Sequence, residues 1–229
     1  MNNPKKTVVV KLSGSIFNYN ADIDRLKKIS SMLIDIFDSV QPIIIAGGGD
    51  IARHYIKIAR KFGSDESSLD LIGIDVSRLN AKLLSTSLGI YAHDHIPRTL
   101  DEISPAKNSG KIIITGGLHP GQSTNATAAL IAEKTRAELF INATDVNGIY
   151  DSDPNQNKEA KLFQKISVSD CLNLLIKGSS SAGTYDLMDI VSLKIIERSK
   201  IKTFVILSDP TNIKNTILNN QTNGTEIIF

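Results

Sequence analysis

The chain has 229 residues, 41% hydrophobic and 22% charged, with 26 basic against 24 acidic side chains and a formal net charge of +2. This composition supplies one sizeable globular core, and the balanced charge, with no long basic block, argues against nucleic-acid binding. A single cysteine, Cys171, excludes an intrachain disulfide framework. No apolar run approaches a membrane span, and MNNPKKTVVV reads as a polar lead into a strand, so a cytoplasmic protein with no membrane partner is expected.

TVVVKL (7–12) is the first of several short β-branched runs whose continuous apolar character fits strands buried on both faces. Residues 22–39 then place Ile23, Leu26, Ile29, Leu33, Ile36 and Phe37 on one helical stripe. PIIIA (42–46) is a second strand. A helix over 50–62 follows it, then a longer one over 69–88 with Leu69, Ile72, Val76, Leu79 and Leu83. KIIIT (111–115) precedes a helix over 123–136 whose Ser/Thr start suits an N-cap. LFINAT (139–144) is the next strand. Residues 151–168 and 177–185 are polar and read as mobile loops. A helix over 186–199 begins near Asp186 or Asp189, and KTFVIL (202–207) and TEIIF (225–229) complete the strands. Strands alternating with helices predict βαβ units and a mainly parallel sheet, without internal repeats; length alone allows one domain or two small ones.

The strand ends are the informative part. The strands run into Ser13-Gly14-Ser15, Gly47-Gly48-Gly49, Gly116-Gly117 and Thr144. A glycine in an ordered element costs roughly 0.5–1 kcal/mol relative to alanine, so three in a row need a sharp turn or a close approach. In open α/β sheets ligands sit at the carboxyl ends of the strands, and bare turns ahead of helix N-termini suit anions. Several such turns on one edge point to a ligand with several phosphates. The P-loop, the dinucleotide-binding G-x-G-x-x-G and the protein-kinase motifs are absent. One cysteine and the scattered His54, His93, His95 and His119 argue against zinc, and no resident metal site is expected; His93 and His95 read as a surface pair.

The segments VKLSGS, AGGGDIAR, DLIGIDVSRLNAKLL, TGGLHPGQSTNATAALIAE, NATDVNGIYDSDP and YDLMDIVSLKIIERSKIK follow in the order and spacing of the amino-acid-kinase superfamily. The chain most resembles its UMP kinases of the archaeal kind. The HPG-x-[ST]-T and SR-x-NA patterns separate it from acetylglutamate, aspartate and carbamate kinases. Isopentenyl phosphate kinases carry a Gly-His pair where this chain has Ala52-Arg53. The resemblance implies a three-layer α/β/α sandwich around a mainly parallel eight-stranded sheet, usually in a homohexamer. Residues 1–135 would mainly bind UMP and 136–229 mainly ATP. The implied reaction moves the γ-phosphoryl of ATP to UMP, giving UDP and ADP, in pyrimidine nucleotide biosynthesis. Mg²⁺ would come with ATP, held mainly by phosphates and water. A kinase of an isoprenoid phosphate or small acid, and a non-catalytic nucleotide sensor, are the alternatives.

The resemblance also implies roles. Lys11, Arg53 and Asp189 are the catalytic candidates. Lys11, inside an apolar strand, would be a cation on the transferring phosphoryl; a snorkelling strand-end lysine is the alternative. Gly14 and Ser15 would meet the β- and γ-phosphates through N–H groups, Gly48 would face UMP and Gly49 ATP; tight packing turns are the alternative. Arg53 would grip the UMP phosphate bidentately, between the two nucleotides, or else pair along its own helix. Asp70, read as opening its helix, would accept the UMP ribose hydroxyls. Leu118, His119, Pro120, Gly121, Gln122, Ser123 and Thr124 would wrap the uridine and its phosphate, Leu118 through backbone alone. Thr144, Asp145, Tyr150 and Asp153 match ATP-contacting positions. Many relatives read Thr-Asn-Val-Asp-Gly, so Asp145 and Asn147 stand exchanged here. Asp189 would orient the lysine and the backbone around the phosphates, or cap a helix. Lys194 would reach the phosphates, as in more distant members.

Overall fold

Side-chain alternation along the first strand sorts the molecule into layers. In this computed structural model, which describes residues 5–20, 22–178 and 187–229, strand β1 is Lys6–Leu12 and β2 is Val40–Ala46. Val8, Val10 and Leu12 join one buried cluster with Ile44 and Ala46; Val9 joins the other with Ile43 and Ile45. Successive strand residues point to opposite faces, so a strand that is apolar throughout feeds two cores.

Helices α1 (Ile23–Phe37), α3 (Glu66–Leu88) and α8 (Pro210–Asn219) cover the first face with Ile29, Leu33, Leu84 and Ile213. Helices α4 (Leu100–Asn108), α5 (Thr124–Thr135), α6 (Val168–Gly178) and α7 (Ile190–Ser199) cover the second with Ile103, Ile131, Cys171 and Leu193. Helix α2 (Gly49–Lys61) lies further out and buries only Ala52. The predicted α/β/α sandwich is the observed architecture.

The remaining strands are β3 (Ile113–Thr115), β4 (Leu139–Thr144), β5 (Lys165–Ser167), β6 (Lys202–Leu207) and β7 (Gly224–Ile228). They form one sheet in the order β3-β2-β1-β4-β6-β7-β5. Among the named strands of the described residues, only the β6–β7 pairing is antiparallel. The register sets Lys11 between Ile45 on β2 and Asn142 on β4. The connection after β1 leads to β2 on one side, while that after β4 leads towards β6 on the other. Between β1 and β4 lies the topological switch point, where a crevice opens at the carboxyl edge.

The sheet has seven strands among the described residues, against eight expected. β5 is a three-residue strand inside a segment read as loop, too short for a periodic signal. Three helices also went unread. α4 carries Pro105, α6 borders the polar loop, and α8 begins at Pro210 after an Asp209 cap, a start signal that was legible. Of the loop expected over 177–185 and the helix start at Asp186, residues 179–186 lie outside the described residues.

Candidate active site

The glycine loops after β1 and β2 are packed on each other. The Gly47 N–H donates to Leu12 O at 3.1 Å, and Ser13 N–H donates to Ala143 O at 3.0 Å, so the loops continue the sheet beyond its ends. A Cβ on Gly14 would stand 2.0 Å from Gly49 N. Gly49 has φ +65°, and a Cβ there would lie 2.2 Å from Gly14 O. The packing alternative for these two glycines is therefore realised: each excludes a side chain from the other.

Helix α3 fastens the loops after β2 and β3 through residues that the sequence reading quoted but gave no role. Buried Asn80 donates its amide to Gly47 O at 2.8 Å. Ser77 Oγ accepts Gly117 N–H at 2.8 Å while donating to Ile74 O at 2.7 Å. Arg78 donates Nε to Gly117 O at 3.1 Å and Nη2 to Leu118 O at 3.3 Å. The available signal was the SR-x-NA pattern itself, whose polar residues stand among Ile74, Val76, Leu79 and Ala81.

Asp70 needs a correction. It does not open its helix, which begins at Glu66 after the Asp65 cap. Asp70 lies a turn further in, and its Oδ2 accepts the Gly121 N–H at 2.7 Å. It thus ties the HPG turn to α3. His119, Pro120 and Gly121 are exposed at that turn, Thr124 is half-buried, and Leu118 turns into the core. The side-chain oxygen of Gln122 is buried without a partner.

Two helix N-termini meet at this edge. Ser123 caps α5, accepting Ala126 N–H at 3.0 Å, and Asp189 caps α7, accepting Ser192 N–H at 2.9 Å. The Ser123 hydroxyl also donates to Asp189 Oδ2 at 2.5 Å. Asp189 thus caps a helix, the alternative weighed for it, and its charge also raises the Lys11 ammonium.

Lys11 lines a pocket of about 260 Å³ with Ser13, Thr144, Asp145, Val146, Asn155 and Leu187. Burial lowers its ammonium to about 8, against Asp145 and Asp189, whose charges hold it up. Asp145 reaches back from β4 to accept both the Ser13 and Ser15 hydroxyls. Thr144 is buried, its hydroxyl bonded within the turn to Val146 at 3.0 Å. Asp153 folds its own turn, accepting Asn155 N–H at 2.9 Å, and Tyr150 bridges to Leu162.

Other candidates stand apart. Arg53 is exposed on α2 and paired with Asp50 one turn back, the surface pairing weighed against a phosphate role. Lys194 is exposed on α7 and bonded to Glu197 at 2.9 Å, so no phosphate role is assigned to it. His93 and His95 stack edge-on, centroids 6.3 Å apart. Among the described residues, no group of three or more His, Cys, Asp and Glu could hold a metal, and no helix is long and apolar enough to cross a membrane.

The amino acid kinase family model matches residues 6–207. A uridylate kinase of Methanosarcina acetivorans is 43% identical over 199 residues, 87% of this chain and 85% of that protein. A uridylate kinase of Sulfolobus acidocaldarius is 39% identical over 225 residues, 96% of this chain and 98% of that protein. The crystal structure of uridylate kinase from Archaeoglobus fulgidus matches with a TM-score of 0.85 at 35% identity, over 96% of this chain and 99% of that one. With its sandwich fold, its paired glycine loops and these relatives, the chain belongs to the amino acid kinase family, among the uridylate kinases of the archaeal type.

Proposed function

We propose that this protein is a UMP kinase, transferring the γ-phosphoryl group of ATP to UMP to give UDP and ADP. The observation that carries the chemistry is Lys11. It is an ammonium held in an apolar strand at the switch point, between the charges of Asp145 and Asp189, facing a pocket at the carboxyl edge. A phosphate oxygen of UMP attacks the γ-phosphorus, the bond to the bridging oxygen breaks, and ADP leaves with the electron pair. The attacking oxygen is already ionised near neutral pH, so alignment and charge neutralisation are the main requirements.

Lys11 supplies that neutralisation, and Asp189 orients it. The N–H groups of Gly14, Ser15 and Gly49 receive the ATP phosphates, and Thr144, Asp145, Tyr150 and Asp153 border the rest of the nucleotide. On the acceptor side Gly48 and Arg53 meet the UMP phosphate, Arg53 turning from the exposed Asp50 pair. The HPG turn, held by Asp70, and the Ser123 and Thr124 hydroxyls enclose the nucleoside. Residues 1–135 serve mainly UMP and 136–229 mainly ATP, with Gly14, Ser15 and Gly49 of the first part reaching the ATP phosphates. Ser13, Ser15 and Asp145 present hard oxygen donors, a set that fits Mg²⁺ arriving with ATP. When bound, it would offset charge on the phosphates.

The exposed Leu71, Leu79 and Leu83 on α3 support assembly into a homohexamer, which light scattering would measure. The deciding experiment for function is a coupled assay with ATP-Mg²⁺ and UMP, CMP or isopentenyl phosphate. Turnover of UMP is expected; its absence sinks the reading.

A further inference from the structure

Asp145 follows β4 and turns back onto the loop after β1. Its Oδ2 accepts the Ser13 hydroxyl at 3.0 Å, and its Oδ1 accepts the Ser15 hydroxyl. The two hydroxyls are themselves 3.0 Å apart, and Ser13 Oγ also takes the Ser15 N–H at 3.3 Å. One carboxylate therefore occupies both hydroxyls of this loop across the switch point. Lys11 feels its charge, but no ion pair or hydrogen bond joins the two among the described residues.

The consequence is electrostatic. The Ser13–Ser15 loop offers the donors that an incoming phosphate would use, and a tethered anion already holds them. A bare triphosphate would bring its charge against that carboxylate at the mouth of the pocket, where like charges repel. A divalent cation on the triphosphate reverses the sign of the contact. The carboxylate and the two hydroxyls are hard oxygen ligands, suited to such an ion directly or through its water.

We propose that Asp145 is a specificity-determining residue of the nucleotide site, rejecting metal-free triphosphates and admitting those that carry a divalent cation. This rests on the ATP-dependent reading above and adds a selection step to it. The charge of Asp145 matters for selection, so a neutral isostere loses the effect and glutamate retains it.

Calorimetric titration of ATP, with Mg²⁺ or with a chelator, into the wild-type protein, D145N and D145E tests this. The wild type binds ATP about tenfold or more tightly with Mg²⁺. D145N binds metal-free ATP about tenfold more tightly than the wild type, narrowing the gap to about threefold or less, while D145E keeps it. A cooperative ligand-free unfolding transition in each variant shows that it folds. Weaker binding of metal-free ATP by D145N, or an unchanged gap, overturns the role of Asp145 and leaves the kinase reading standing. A wild type that binds ATP under neither condition overturns both.

Discussion

The Ser123 hydroxyl donates to the Asp189 carboxylate at 2.5 Å while each residue caps its own helix, so the N-termini of α5 and α7 are fixed to each other. One carboxylate therefore has a structural and an electrostatic task. Substitution separates them. Asp189→Ala removes both and is expected to lower stability by about 1 kcal/mol, the usual worth of an N-cap. Asp189→Ser keeps a capping oxygen and should hold stability within about 0.5 kcal/mol. Both should lower kcat by about tenfold or more, because neither retains the charge. Thermal unfolding beside the coupled assay checks this; a serine variant with full kcat would remove Asp189 from the mechanism.

Lys11 makes stability depend on pH in a definite direction. Its folded value is near 8, against 10.5 when free. Between these values the unfolded chain still holds a proton that the folded chain has released, so stability rises as pH climbs from about 8 to 10.5. Below 8 the ammonium is charged in both states and the burial cost is fully present. Lys11→Met should therefore stabilise the protein at pH 7, by up to about 3 kcal/mol at roughly 1.4 kcal/mol per pH unit, and abolish transfer. Urea unfolding measures the first effect. A variant less stable than wild type at pH 7 would refute the burial cost assigned to this lysine. In the wild type, kcat/KM for ATP should decline above pH 8 as the free protein loses the proton.

Gly14→Ala tests the contact between the glycine loops. The new Cβ meets the Gly49 backbone at 2.0 Å, which cannot swing aside as a side chain can. Loss of about 1–3 kcal/mol is expected, with activity lost as well. Gly73, inside α3, is the contrast. Its Cβ would meet only the end of Ile56 at 3.4 Å, and alanine there should stabilise by roughly 0.5–1 kcal/mol on helix propensity. Equal unfolding midpoints for the two variants would contradict the packing argument.

Arg53→Ala addresses the acceptor phosphate. The exposed pair with Asp50 contributes at most about 1 kcal/mol, so stability should scarcely change. The UMP KM should rise about tenfold or more and the ATP KM by less than about threefold. Asp50→Asn releases the guanidinium and should not raise the UMP KM. Equal shifts in both substrates for Arg53→Ala would place it elsewhere.

Much of the fold was legible because strands buried on both faces leave a continuous apolar signature. The strands LFINAT and KTFVIL were read to the residue, and the helix after the HPG turn to within one residue at each end. β5, at three residues, and α4, interrupted by Pro105, lack the length or periodicity to announce themselves. At the candidate site, residue type and motif singled out Lys11, which lines the pocket, and Asp189, which caps α7. Asn80, Ser77 and Arg78 were visible as polar residues in a quoted pattern, but their task of holding carbonyls and an N–H of distant loops was not.

By itself the sequence determined a mainly parallel sheet of alternating strands and helices with glycine-rich strand ends on one edge, since each strand and helix records its own burial; the motifs, by resemblance, added the sandwich and the family. The tertiary structure decided what the glycines touch, that Asp70 holds the HPG turn, and that Asp145 returns 130 residues to take the Ser15 hydroxyl. Those relations join loops far apart in the chain, and only the order of strands around the switch point brings them within hydrogen-bonding distance.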